Sequence, residues 1–136
     1  MRTARRYLVR SLLLFSLCLC VVGCGGGGGG VSVKGKVTNK GTPLKVSDKG
    51  MVQVTLIPAD KPEANKFTGN VGADGTFTVT SPDGKGVPKG KYKVAVHQWD
   101  PYPRVDLLKG KYSDTKTTLV RDIDEGKDLD IDVGGP

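Results

Sequence analysis

The chain has 136 residues, enough for one small domain once its ends are trimmed. Its 21 Lys and Arg against 14 Asp and Glu give a formal charge of +7, yet four of the cations (Arg2, Arg5, Arg6, Arg10) open the chain with no acid among them. Beyond residue 23 the balance is 17 to 14, or +3. That balance argues against nucleic acid as a partner. The three cysteines (Cys18, Cys20, Cys24) all lie near the N-terminus, so the chain beyond residue 24 has no disulfide, Cys-based zinc site or Cys nucleophile.

Residues 1–23 fall into the three parts of a secretory signal. Met1–Arg10 is basic and Ser11–Val22 is apolar, and Gly23 supplies a small residue at the cleavage point. The apolar run falls short of the about 20 residues that span a bilayer. Val21-Val22-Gly23-Cys24 resembles the lipobox of bacterial lipoproteins. The resemblance implies that the Cys24 thiol takes diacylglycerol and that Cys24 becomes the new N-terminus. Cys18 and Cys20 fit less well, because bulky Leu17 and Leu19 precede them. An ordinary signal with an incidental cysteine is the plainer alternative. Gly25 stands where the family's inner-membrane retention signal has Asp, so the resemblance favours the outer membrane. Gly25–Gly30 has no side chains to pack and reads as a flexible tether within a 24–30 linker. No strand precedes it and no Lys-Ser/Thr comes after it, so it is not a phosphate loop.

Residues 31–136 alternate with period two. Val31, Val33 and Val37 begin the pattern. It continues through Val52, Val54 and Leu56, then Phe67 and Val71, then Phe77 and Val79, then Tyr92, Val94 and Val96. A weaker run at Leu119 and Ile123 comes next, and Leu129, Ile131 and Val133 end the pattern. Gly, Pro, Asn and Asp punctuate these runs, at Asn39–Pro43, Pro58–Pro62, Asp74-Gly75, Pro82–Gly84, Pro88–Gly90 and Glu125-Gly126. Asp74-Gly75 is the clearest hairpin turn. The pattern predicts an all-β domain, an about seven-stranded antiparallel Greek-key-type β-sandwich.

Several stretches share a resemblance. They are Val33-x-Gly35-x-Val37-Thr38, Gly41-Thr42-Pro43-Leu44, the run from Val52 to Pro58, Asp74-Gly75-Thr76-Phe77-Thr78-Val79, and Pro88-Lys89-Gly90-Lys91-Tyr92-Lys93-Val94. In this order they are similar to the carboxypeptidase-regulatory-like, transthyretin-like (prealbumin-type) domains, some of which are carried by small exported lipoproteins. The resemblance implies a seven-stranded sandwich that serves binding or structure and is not catalytic. The polyglycine tract and the long stretch from His97 to Lys116 fall outside that pattern.

Candidate chemistry is sparse. His97 is the only histidine, has no second histidine for a metal and no Gly-x-Ser-x-Gly partner, and reads as an exposed or rim residue opposite Tyr92, Val94 and Val96. The transthyretin-related hydrolases use several histidines, so an enzyme is not expected. Asp122, Asp124, Glu125, Asp128, Asp130 and Asp132 lack the spacing of a calcium loop and read as the wet face of the last strand, with Lys34 and Lys36 as partners if the first strand lies beside it. No cofactor or metal is expected. The stretch from His97 to Arg104 holds the only Trp. Trp99, Tyr102, Arg104 and Tyr112 are the candidate contact residues, for a sugar or a peptide. Alternatively, Trp99 folds back over the open end of the sandwich. The expected function is a lipid-anchored, non-catalytic module of the cell envelope. Its partners are membrane lipid through Cys24 and an envelope polysaccharide or protein.

Overall fold

The computed structural model describes residues 29–135, so the predicted signal peptide and Cys24 lie outside the described residues. Eight strands succeed one another: β1 (Val33–Asn39), β2 (Thr42–Pro43), β3 (Met51–Pro58), β4 (Phe67–Val71), β5 (Thr76–Val79), β6 (Gly90–Trp99), β7 (Val120–Ile123) and β8 (Leu129–Asp132). The seven alternating runs appear as β1 and β3–β8. The strand beyond expectation, β2, is the short return of a hairpin. Its turn residues Lys40 and Gly41 have φ of 50° and 77°, the left-handed values that match the twist of the flanking strands.

The strands form one hydrogen-bonded sheet in the order β2-β1-β5-β4-β3-β6-β7, with β8 on the other edge of β1. The sheet curls, so the inward residues of its two ends share one core. Val33 and Val37 of β1 and Leu129 and Ile131 of β8 meet Val52, Val54 and Leu56 of β3 and Val94 and Val96 of β6. Valine dominates, and each one fully buried contributes about 2 kcal/mol. Tyr92 and Tyr112 supply the larger volumes, and their hydroxyls donate to the Pro88 and Val133 carbonyls at 2.9 Å. Among the described residues no buried side-chain nitrogen or oxygen lacks a partner.

One pairing departs from the all-antiparallel expectation. β8 runs parallel to β1, from Gly35↔Leu129 to Thr38↔Asp132. Alternation encodes which face is wet but not which way a strand runs. Here the last strand fills the edge of β1 that β5 leaves open. The first and last strands are neighbours and Lys36 stands opposite Asp130, but no ion pair forms between these strands.

The loop aspartates act as caps. Asp132, at the end of β8, accepts from the backbone N–H of Lys40, Gly41 and Gly134 at 2.7–3.0 Å, which ties the β1–β2 hairpin to the last strand. The bonds from Gly134, Lys40 and Gly41 hold its carboxyl below the ordinary value of 3.8. The stabilisation is therefore complete above that value and is lost as the pH falls through the lower, folded one. The acid limb of a pH–stability profile is expected to flatten in Asp132→Asn. An unchanged limb would show that the cap carries no linkage.

Candidate functional site

In β6 the even positions Tyr92, Val94, Val96 and Gln98 point into the core, so Lys93, Ala95, His97 and Trp99 share the outer face. Trp99 is thus the last residue of β6 and does not fold back over the open end of the core. Its ring stacks on His97, with centroids 5.1 Å apart and planes 13° apart. Tyr102 meets Trp99 edge-on at 6.5 Å.

The segment after β6 is held by side-chain bonds to backbone. Asp100 accepts from Ser47 N–H at 2.7 Å and Ser47 Oγ at 2.6 Å, and these bonds hold its carboxyl below the usual range. The Tyr102 N–H donates to Lys49 O at 2.8 Å, and buried Gln98 donates from Nε2 to Lys45 O at 2.8 Å. The loop of residues 44–50 is therefore bound to the loop after β6.

Asp106 is the hub of that second loop. Oδ1 accepts from the N–H of Gln98 at 3.2 Å and of Leu108 at 3.0 Å. Oδ2 accepts from Gly110 N–H at 3.0 Å and faces His97 Nδ1 at 3.2 Å. Its side chain is only 10% exposed. On the other side of the ring, His97 Nε2 faces Asp114 Oδ1 at 3.6 Å, and Asp114 Oδ2 pairs with Lys66 at 2.7 Å. Burial pushes the Asp114 carboxyl up. The Lys66 hydrogen bond and charge, with His97, outweigh that and leave it below the ordinary value. The result is a line of alternating groups, Asp106–His97–Asp114–Lys66, across the outer face.

Two sequence expectations change here. His97 is on the expected face, but its side chain is only 17% exposed, clamped between carboxylates instead of open at a rim. Tyr112 does not join Trp99 and Tyr102 at the surface. It is 7% exposed and part of the core, because its hydroxyl is bonded to the Val133 carbonyl. Arg104 is exposed beside Tyr102. Asp106, Asp114 and Lys66 were not among the residues the sequence singled out. Nor was the loop surface itself: Tyr102, Val105 and Leu107 are 48%, 48% and 46% exposed, three of the four exposed large hydrophobic residues among those described.

The open clefts lie elsewhere. Two adjoining ones, of about 550 and 610 Å³, share Asn65, Phe67 and Pro88 near the start of β6. Their apolar floor is largely covered, with Phe67 9% and Tyr92 4% exposed, so the loop after β6 is the stronger candidate. Among the described residues no three or more His, Cys, Asp or Glu are arranged to hold a metal ion. No protein-family model, curated protein or solved structure matches the chain.

Proposed function

We propose that the protein is an exported lipoprotein, anchored through diacylglycerol on Cys24, whose transthyretin-like β-sandwich is a non-catalytic binding module of the cell envelope. The observation that carries the binding role is the loop surface of Tyr102, Val105 and Leu107, exposed apolar groups on a loop that Asp106 ties down. Exposed apolar groups on a loop are candidate contacts, and a pre-ordered loop loses little entropy on binding. The curled sheet with one shared core accords with the sandwich reading. The non-catalytic reading is supported by the sequence, in which His97 is the only histidine and has neither a second histidine for a metal nor a Gly-x-Ser-x-Gly partner. Three features support the anchor: the basic opening, the short apolar run and the small residue before Cys24.

Intact-mass analysis of the membrane-extracted protein tests the anchor. The expected N-terminus is Cys24 carrying diacylglycerol, with Cys24→Ala released from the membrane or left unprocessed. An unlipidated N-terminus elsewhere overturns it. The module is tested with the only tryptophan, Trp99, as a local reporter. Emission of the full-length chain is expected to shift saturably with solubilised envelope extract, and Tyr102→Ser with Leu107→Ser is expected to remove the shift. A flat response in the unsubstituted chain removes the module reading.

A further inference from the structure

We infer that the outer face of the sheet, from β8 across to β6, binds a neutral glycan chain laid across the strands. The inference goes beyond the loop surface after β6 and uses other residues. Register lines up one row of polar side chains on this face. Lys34 of β1 stands opposite Thr78 of β5, and Asn70 of β4 stands opposite Gln53 of β3, which in turn stands opposite His97 of β6. The pair Val71↔Phe77 sets Asn70 beside Thr78, and the pair Gly35↔Leu129 sets Asp128 beside Lys34. Neighbouring strands lie about 4.8 Å apart, so the row from Asp128 to His97 is about 24 Å long. A second row runs beside it, with Lys36 opposite both Thr76 and Asp130. A cleft of about 520 Å³ lies over the two rows, between Asp130 on β8 and Asn70 on β4. Lys34, Lys36, Asn70, Thr76, Thr78 and Asp130 are all exposed. The side chains of Lys34, Thr78, Asn70 and Gln53 make no hydrogen bond or ion pair among the described residues.

The chemistry of this face selects the occupant. Its two cations, Lys34 and Lys36, are matched by two acids, Asp128 and Asp130, so there is no net charge to draw a nucleic acid, an anionic lipid or an acidic glycan. The exposed large hydrophobic residues among those described all lie elsewhere, so the face has no apolar anchor for a protein. A sugar ring carries hydroxyls that both donate and accept. The row answers with both: the Lys34 ammonium and the Asn70 and Gln53 amides donate, and the Asp128 carboxylate, the two amides and the Thr78 hydroxyl accept. The strand spacing is close to the length of one sugar ring in an extended chain, so successive rings meet successive side chains. The row ends at His97, whose ring is stacked on Trp99.

The test is affinity electrophoresis of the detergent-solubilised full-length chain. The probe is the polysaccharide of the producing cells' envelope, treated with protease and split by anion exchange into a neutral and an acidic fraction. The neutral fraction is expected to retard the chain saturably. Retardation should change by less than about twofold between about 0.05 and 0.5 M NaCl, because hydrogen bonds to an uncharged chain are not screened. Asn70→Ala combined with Thr78→Ala is expected to weaken it about tenfold or more. Both positions are exposed, so the urea midpoint should stay with the parent's. Tyr102→Ser with Leu107→Ser is expected to bind the neutral fraction as the parent does. No retardation, retardation by the acidic fraction alone, or a loss in the Tyr102 and Leu107 variant but not in the Asn70 and Thr78 variant would each overturn the inference. The loop surface is judged separately. A Trp99 shift with whole extract that the neutral fraction cannot reproduce or bind keeps the loop module and discards the glycan face. Binding of the neutral fraction that survives the loop substitutions keeps the glycan face even where the loop reading fails.

Discussion

Gly35→Ala is expected to destabilise the domain by about 3 kcal/mol, the upper end of what one extra carbon costs in a packed interior. Gly35 continues the inward row Val33–Gly35–Val37 of β1, opposite Phe77 on β5 and Leu129 on β8. A Cβ there would collide with the Leu129 backbone carbonyl and lie 2.7 Å from the end of the Phe77 ring. The ring could swing aside, but the carbonyl belongs to the β1–β8 ladder and can retreat only if β8 moves. β1 pairs with β2, β5 and β8, so the damage would reach three neighbours. Against a total stability of about 5–15 kcal/mol, such a loss is large. The controls are Lys34→Ala and Lys36→Ala on the outward positions, expected to stay within about 0.5 kcal/mol of the parent. Urea unfolding reads both, with the effect appearing in the midpoint and not in the slope. A Gly35→Ala chain as stable as the parent would show that β1 and β8 do not approach this closely.

Gly35 also illustrates how far the sequence could be read. The pattern around it marks a strand, but the reason for a glycine is visible only once β8 lies alongside. Valine-rich alternation was enough to place seven strands, since period two survives in runs as short as Thr76–Val79. It failed for Thr42–Pro43, because two residues have no period. It was silent on the parallel direction of β8. In β3 the row Thr55-Leu56-Ile57 is buried on both faces, as is Ala95 opposite it, so the outer face of the sheet is covered there as well as the core face. The candidate site was half legible. Trp99 stood out as the only Trp and Tyr102 as an aromatic residue beside it in the stretch braced by Pro101 and Pro103. Tyr112 was named as a contact residue with them, yet its hydroxyl finds a carbonyl 21 residues away inside the core. Asp106 has no period or motif around it, and its partners are backbone amides that every residue possesses. Lys66 and Asp114 are 48 residues apart, and only the pairing of β4 and β6 with β3 between them brings them near each other.

Asp106→Ala is the second large effect, expected to cost about 3 kcal/mol and to release the loop after β6. Removing the carboxylate strands three backbone donors, those of Gln98, Leu108 and Gly110, in a site where the side chain was 10% exposed. An unpaired buried donor costs about 1–3 kcal/mol, and water entering the opened loop recovers part of the sum. Asp106→Asn should fall between the alanine variant and the parent. An amide oxygen can replace Oδ1 toward Gln98 and Leu108, but the amide nitrogen then confronts the Gly110 N–H, a donor facing a donor. His97 loses its Nδ1 partner in the alanine variant, so the ring stacked on Trp99 is freed and the emission of the only tryptophan should shift to the red. Asp114→Asn, on the opposite side of the same ring, is the informative contrast. Its pair with Lys66 is 35–45% exposed and screened by solvent, so it should cost under about 1 kcal/mol and leave the loop in place. Hydrogen exchange across residues 100–111 separates the two cases, because only loss of the hub exposes the amides of Leu108 and Gly110. If Asp106→Ala left both the exchange rates and the Trp99 emission as they were, the loop would owe its order to Ser47, Asp100 and Gln98 instead. The contact surface of Tyr102, Val105 and Leu107 would then be held from the side of the 44–50 loop.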